Sequence, residues 1–217
     1  MVTSSNRKLV IFDWDGTIMD SVDRIVESMQ GAATKAQLPV PSVQSVKDII
    51  GMSLAPAFAQ LFGTLSSSQV EQLSAFYRSE YIGTEHSSTP LFAGIEQVLE
   101  TLHSKGYVLA VATGKNRIGL DRLMKESNLG HFFSDTMTAD QAESKPHPQM
   151  IETLMTRLVV TADNTVMIGD SILDMTMARN ANVKAIGVSY GAHTTDVLKQ
   201  ASPMTVVDTP LDILKHF

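Results

Sequence analysis

Five short runs of apolar residues constrain this chain more than any other feature: Leu9–Phe12, Val108–Ala112, 166–168, 185–188 and Thr205–Val207. Each is continuously apolar, not alternating. Strands of that kind are covered on both faces, as in a parallel sheet between two helical layers. Helix-like stretches separate the runs, over Ile95–Ser104, Arg117–Ser127, Gln149–Leu158, Ile172–Asn180 and 195–201. The alternation predicts an α/β fold: a Rossmann-like parallel sheet with helices on both faces.

One interval breaks the rhythm. Between the first run and Leu91 there is no strand pattern, only helix-like pieces over 22–36, 43–50, Leu54–Phe62 and 69–81. Pro39, Pro41, Gly51 and Gly63 punctuate them. Ser68 and Glu71 read as an S-x-x-E capping box that opens the last piece. The expected organisation is an α/β core of residues 1–19 and 89–217, with an all-helical insertion over 20–88.

Composition removes several classes of function. With 43% hydrophobic and 18% charged residues, the 217-residue chain can bury a substantial core. A net charge of -6 repels nucleic acid and anionic lipid, so neither is expected as a partner. The absence of cysteine excludes disulfides, thiolate metal sites and a cysteine nucleophile. The segment from Met1 to Arg7 is polar and no secretory or membrane-spanning run is visible, so the expected location is the cytoplasm. The twelve methionines read as core filler. The sequence leaves the oligomeric state open.

In an open parallel sheet, ligands bind beyond the carboxyl ends of the strands. The residues that follow the apolar runs are therefore informative. The first run ends in Asp13-Trp14-Asp15-Gly16-Thr17, the second in Thr113-Gly114-Lys115, and the third in Gly169-Asp170-Ser171, with Asp174 one helical turn on. Lys145 lies in the loop Ser144-Lys145-Pro146-His147-Pro148. Two carboxylates about 4 Å apart repel by about 4 kcal/mol at an effective dielectric of about 20. Asp13, Asp15, Asp170 and Asp174 on one rim therefore call for a cation, and an all-oxygen ligand set points to Mg²⁺. Ser171 and Asp174 also form an S-x-x-D capping pattern, a role compatible with facing a metal.

Asp13-Trp14-Asp15-Gly16-Thr17, Thr113, Lys145-Pro146 and Gly169-Asp170-Ser171-Ile172-Leu173-Asp174 resemble the four ordered motifs of the haloacid dehalogenase superfamily. The helical insertion after the first motif is similar to the small cap of its phosphoglycolate phosphatase-like branch. The resemblance implies a Mg²⁺-dependent phosphatase for a small phosphorylated metabolite, working through a phospho-aspartate. On that reading Asp13 is the nucleophile and a metal ligand. Asp15 protonates the leaving oxygen, then activates water, and binds metal through its backbone carbonyl. Thr113, Gly114 and Lys145 bind the phosphoryl group, with the Lys115 amide assisting. Lys145 also holds Asp13 ionised. Asp170 ligates the metal, and Asp174 orients the metal site from behind.

Rival activities carry their own marks. A dehalogenase lacks the acid at the Asp15 position. A phosphomutase resembling β-phosphoglucomutase would keep every motif, but usually has a histidine just after the first one; Met19-Asp20-Ser21-Val22 offers none. A non-enzymatic phospho-aspartate signalling domain would be shorter, with no helical insertion. Elsewhere, His147 and His193 read as solvated loop histidines, and Arg24, Lys47 and Arg78 as solvated charges or, alternatively, as anchors for a substrate anion. Trp14 is expected to pack its ring away from the phosphate. Asn182, where relatives often have glycine, is expected to close its helix in the left-handed conformation. Specificity is expected from the insertion near Gly51-Met52-Ser53.

Overall fold

A computed structural model describes residues 7–83 and 89–217. Six strands form one parallel sheet: β1 (Leu9–Phe12), β2 (Val108–Ala112), β3 (Asp135–Met137), β4 (Thr165–Gly169), β5 (Lys184–Val188) and β6 (Thr205–Val207). Their order is β3-β2-β1-β4-β5-β6. The chain moves outward from β1 through β2 to β3, then returns to the other side of β1 for β4. The strand order therefore reverses beside β1, and a crevice opens there at the carboxyl ends.

Both faces of the sheet are covered. Val10 and Phe12 of β1 point into one core with Leu109 and Val111, under helices α5 (Ile95–Ser104) and α6 (Arg117–Ser127). Leu9 and Ile11 point into the other with Ala110, Ala112 and Met167, under α7 (Gln149–Leu158), α8 (Ile172–Asn180) and α9 (Thr195–Lys199). This explains the continuous apolar runs: alternate residues serve opposite cores. Met150, Met167, Met175 and Met177 are buried in the second core, the filler role expected of methionine.

Between β1 and α5 lie α1 (Val22–Lys35), α2 (Val43–Lys47), α3 (Leu54–Phe62) and α4 (Ser67–Gly83). They close around their own core of Ile25, Met29, Val46, Phe58 and Leu73. Arg24 on α1 donates to the Tyr81 carbonyl and to Thr89 Oγ1 (3.0 Å), and its guanidinium lies over the Tyr81 ring. It is a structural strut and not a solvated charge. The expected junction between residues 88 and 89 adjoins residues 84–88, which lie outside the described residues, as does most of the polar segment from Met1 to Arg7. No described helix is long and apolar enough to cross a membrane.

Three local expectations change. The capping box of α4 is built by Ser66 and Gln69, not by Ser68 and Glu71: the Ser66 amide donates to Gln69 Oε1 (2.9 Å), and the Gln69 amide to Ser66 Oγ (3.3 Å). Ser68 already lies inside the first turn, so it cannot precede the helix. Strand β3 escapes the apolar pattern because only Met137 of its three residues is buried; pairing with β2 makes it a strand. His193 is buried, not solvated. Its Nδ1 accepts from the Ile172 amide (2.9 Å), and Nε2 lies 3.7 Å from Asp48 Oδ1. Asn182 takes φ +57°, as expected for the residue closing α8.

Candidate active site

The loop after β1 brings the acids to the crevice. Trp14 turns inward and packs edge-on against Phe133, leaving Asp13 and Asp15 on the opposite side. Gly16 makes the turn possible: φ is +73°, and a Cβ there would sit 2.0 Å from Asp170 Oδ2. Asp170 ends β4 and is fixed by Thr17 Oγ1 (3.0 Å) and the Ala192 amide (2.7 Å). Asp174 enters one turn into α8, where it and Ser171 complete a reciprocal capping box.

Lys145 joins these groups. Its ammonium is fully buried, 2.6 Å from Asp174 Oδ1 and 2.9 Å from Asp13 Oδ1. Asp174 spends its other oxygen on Ser171, whose hydroxyl donates at 2.6 Å. Asp13 Oδ1 also accepts the Trp14 amide (2.7 Å), but Asp13 Oδ2 is buried without any hydrogen-bond partner. A polar atom left in that condition is costly unless a ligand meets it.

The electrostatics agree. Burial pushes the Asp13 carboxyl up to about 7, Lys145 works against that, and the Asp174 and Asp15 charges add to it. Burial, followed by the charges of Asp13 and Asp174, lifts Asp170 well above the ordinary carboxylate range. Burial alone would lower Lys145, yet the charges of Asp13 and Asp174 together hold it above a normal lysine. Oxygens of Asp13, Asp170 and Asp174 lie within 4.8 Å of one another. This buried, proton-hungry oxygen set fits a hard divalent cation such as Mg²⁺. The Asp15 carboxylate is not part of this group.

The arrangement matches a known family. Residues 10–188 fit the description haloacid dehalogenase-like hydrolase. The chain belongs to that family. It is 35% identical to the probable phosphatase IndB of Dickeya dadantii, over 94% of this chain and 90% of the relative. It is 28% identical to a phosphoglycolate phosphatase of Vibrio parahaemolyticus, over 99% and 97%. A solved hydrolase from Pseudomonas syringae superposes with a TM-score of 0.87 at 26% identity, covering 97% of each chain. The hydrolase thus lies in the phosphoglycolate phosphatase-like branch of the family.

Within the hydrolase, Lys145 bridges Asp13 and Asp174 with Asp170 close beside them, and Asp15 and Thr113 share the cavity above Asp13. Lys115 corrects part of the expectation. Its amide donates to Thr113 Oγ1 (3.2 Å), so it is already engaged and not free to assist at a phosphoryl group. Its ammonium, which the motif comparison overlooked, sits 3.0 Å from Asp15 Oδ2, beneath the Tyr81 ring of α4. Burial would lower the Lys115 pKa, but the Asp15 charge and the nearby Tyr81 and Tyr77 raise it. Ser21 was also missed. It stands at the start of α1 yet gives no side-chain cap; its hydroxyl donates to Asp15 Oδ1 at 2.6 Å. A helix-start serine that does not cap was the available signal, visible only in three dimensions. His147 is exposed, as expected, whereas Arg78 lines the cavity wall.

Proposed function

We propose that this hydrolase is a Mg²⁺-dependent phosphatase that cleaves a small phosphomonoester through a phospho-aspartate on Asp13. The observation that carries the reading is the buried, unpartnered Asp13 Oδ2 beside the Lys145 ammonium. Asp13 Oδ2 attacks phosphorus, and the bond to the leaving oxygen breaks as Asp15 protonates it. Asp15 then takes a proton from water, which attacks the same phosphorus and releases Asp13. Thr113 donates its hydroxyl proton to the phosphoryl group, together with the Gly114 amide and Lys145. Asp13, Asp170 and the Asp15 carbonyl would hold Mg²⁺, with Asp174 aligning them; the ion would neutralise the charge gathered there.

At rest, Asp15 accepts hydrogen bonds from both Ser21 and Lys115. The first step needs Asp15 protonated, so Lys115 must release it as substrate arrives. Helices α1–α4 we take as a cap of about residues 20–88 that closes over the ester and excludes water.

The test is phosphate release from a panel of phosphomonoesters, with Mg²⁺ or chelator, for wild type and Asp13→Asn. The proposal expects metal-dependent release that vanishes in a folded variant. Release that persists in Asp13→Asn overturns it. Isomerisation of a sugar phosphate without net release would instead identify a mutase, and a stable phosphoprotein without turnover a signalling domain.

A further inference from the structure

The cavity over Asp13 is far larger than a two-carbon phosphate ester needs. It holds about 620 Å³, within the roughly 300–1,000 Å³ of pockets that take drug-sized ligands. From Asp13, Asp15 and Thr113 it runs outward between α3 and α4 on one side and α6 on the other. Beyond the phosphate end its wall is largely apolar, with Met29, Leu54, Val70 and the Tyr77 ring. Ile118 and Ile82 stand on the same cavity and are 81% and 60% exposed, the highest values for large hydrophobic side chains among the described residues. These two side chains extend the apolar wall to the cavity mouth, where an apolar group entering it would cover them.

This space does not come from helices standing away from the sheet. A Cβ on Gly114 would lie 2.5 Å from the Gly51 carbonyl oxygen, so the two backbones already touch. The Ser53 amide donates to Ser144 Oγ (3.0 Å), and Lys115 reaches the Tyr81 hydroxyl (3.3 Å). The phosphate end is closed by these contacts while the outer cavity stays open.

We infer that the substrate carries a bulky, mainly apolar leaving group the size of a ring system, seated between α3, α4 and α6; this rests on the phosphatase reading. Arg78 and Arg122 share the wall, so a hydrogen-bond acceptor on that group is met where it passes them. Phosphoglycolate would leave the apolar wall uncovered and gain nothing from it.

The test compares 2-phenylethyl phosphate with ethyl phosphate and phosphoglycolate, at saturating Mg²⁺. The two alkyl esters have leaving groups of similar basicity, so a difference in kcat/KM reports the cavity. The 2-phenylethyl ester should be preferred by at least about tenfold, the low end of what added apolar bulk yields in such a pocket. Val70→Trp, which fills the outer cavity, should lower that preference by a similar factor. Equal kcat/KM for the two alkyl esters, or a preference for phosphoglycolate, overturns the inference while leaving the phosphatase reading intact. Absence of metal-dependent release from every ester sinks the phosphatase reading instead. Calorimetry with 2-phenylethylphosphonate and ethylphosphonate then still decides: tighter binding of the phenyl compound supports the cavity assignment, and equal binding overturns it.

Discussion

Lys145→Met should turn the acid cluster from a paired group into an uncompensated one. The substitution keeps the length of the side chain and removes its charge. In the wild type, one ammonium at 2.6 Å and 2.9 Å serves two buried carboxylates, with Asp170 close behind. Removing one partner of a buried pair costs about 3–5 kcal/mol. At about 2–4 °C per kcal/mol for a chain of this size, the metal-free variant should melt about 6–20 °C below wild type at pH 8. The deficit should depend on pH. Asp13 has a folded pKa raised to about 7, so the folded state takes up its proton more readily than the unfolded chain does. That contribution is present at low pH and is lost as pH rises through about 7. Loss of Lys145 removes the influence that holds the Asp13 pKa down, so its proton is kept to higher pH. At pH 5 Asp13 is protonated in both proteins, and the variant should recover much of the difference. Thermal unfolding in chelator at pH 5 and pH 8 measures both effects. A deficit below about 1 kcal/mol at pH 8, or one that does not shrink toward pH 5, refutes the buried-charge account.

The pH dependence extends to the metal. On the proposed ligation Mg²⁺ displaces the Asp13 proton, so its apparent Kd should rise by up to about tenfold per unit as pH falls below about 7; titration by thermal shift at pH 5.5, 6.5 and 8 would read this, and a flat affinity contradicts it. On the proposed two-step mechanism, Lys115→Met removes the ammonium that holds Asp15 Oδ2 at 3.0 Å, which should slow hydrolysis of the phospho-enzyme and let it accumulate in acid-quenched turnover; an unchanged steady-state level argues against that role. Gly114→Ala forces a Cβ against Gly51 and Met52, and should cut kcat/KM about tenfold or more with little loss of folding stability; wild-type kinetics would show that the close approach is dispensable. Trp14→Phe deletes a buried indole N–H that has no partner, so its cost in chemical unfolding should stay below the ~3–5 kcal/mol of a large aromatic truncation; a full-sized loss would show that the indole ring's packing dominates.

Much of the fold was legible because its signals are local. The apolar runs mark β1, β2, β4, β5 and β6, since strands buried on both faces carry no polar alternation. Strand β3 was not, because Asp135-Thr136-Met137 is a strand only by virtue of its neighbour. The Ser171–Asp174 box was readable from its spacing. The box at α4 was displaced by two residues because Ser66, Ser67 and Ser68 offer the same hydroxyl in succession, and packing of the helix decides among them.

The sequence by itself determined where the candidate residues gather: Asp13, Asp15, Thr113 and Asp170 follow closely on their strands, and a parallel sheet brings such ends to one rim. Tertiary structure alone decided how those groups are used. Lys145 meets Asp174 across 29 residues, Tyr81 of α4 covers Lys115, and Ser21 gives up capping to hold Asp15. The size and apolar wall of the cavity belong to the same class, since four separate helices supply its lining. Backbone periodicity is written into neighbouring residues. Contacts between distant ones depend on how whole elements pack, and no short stretch of sequence carries that information.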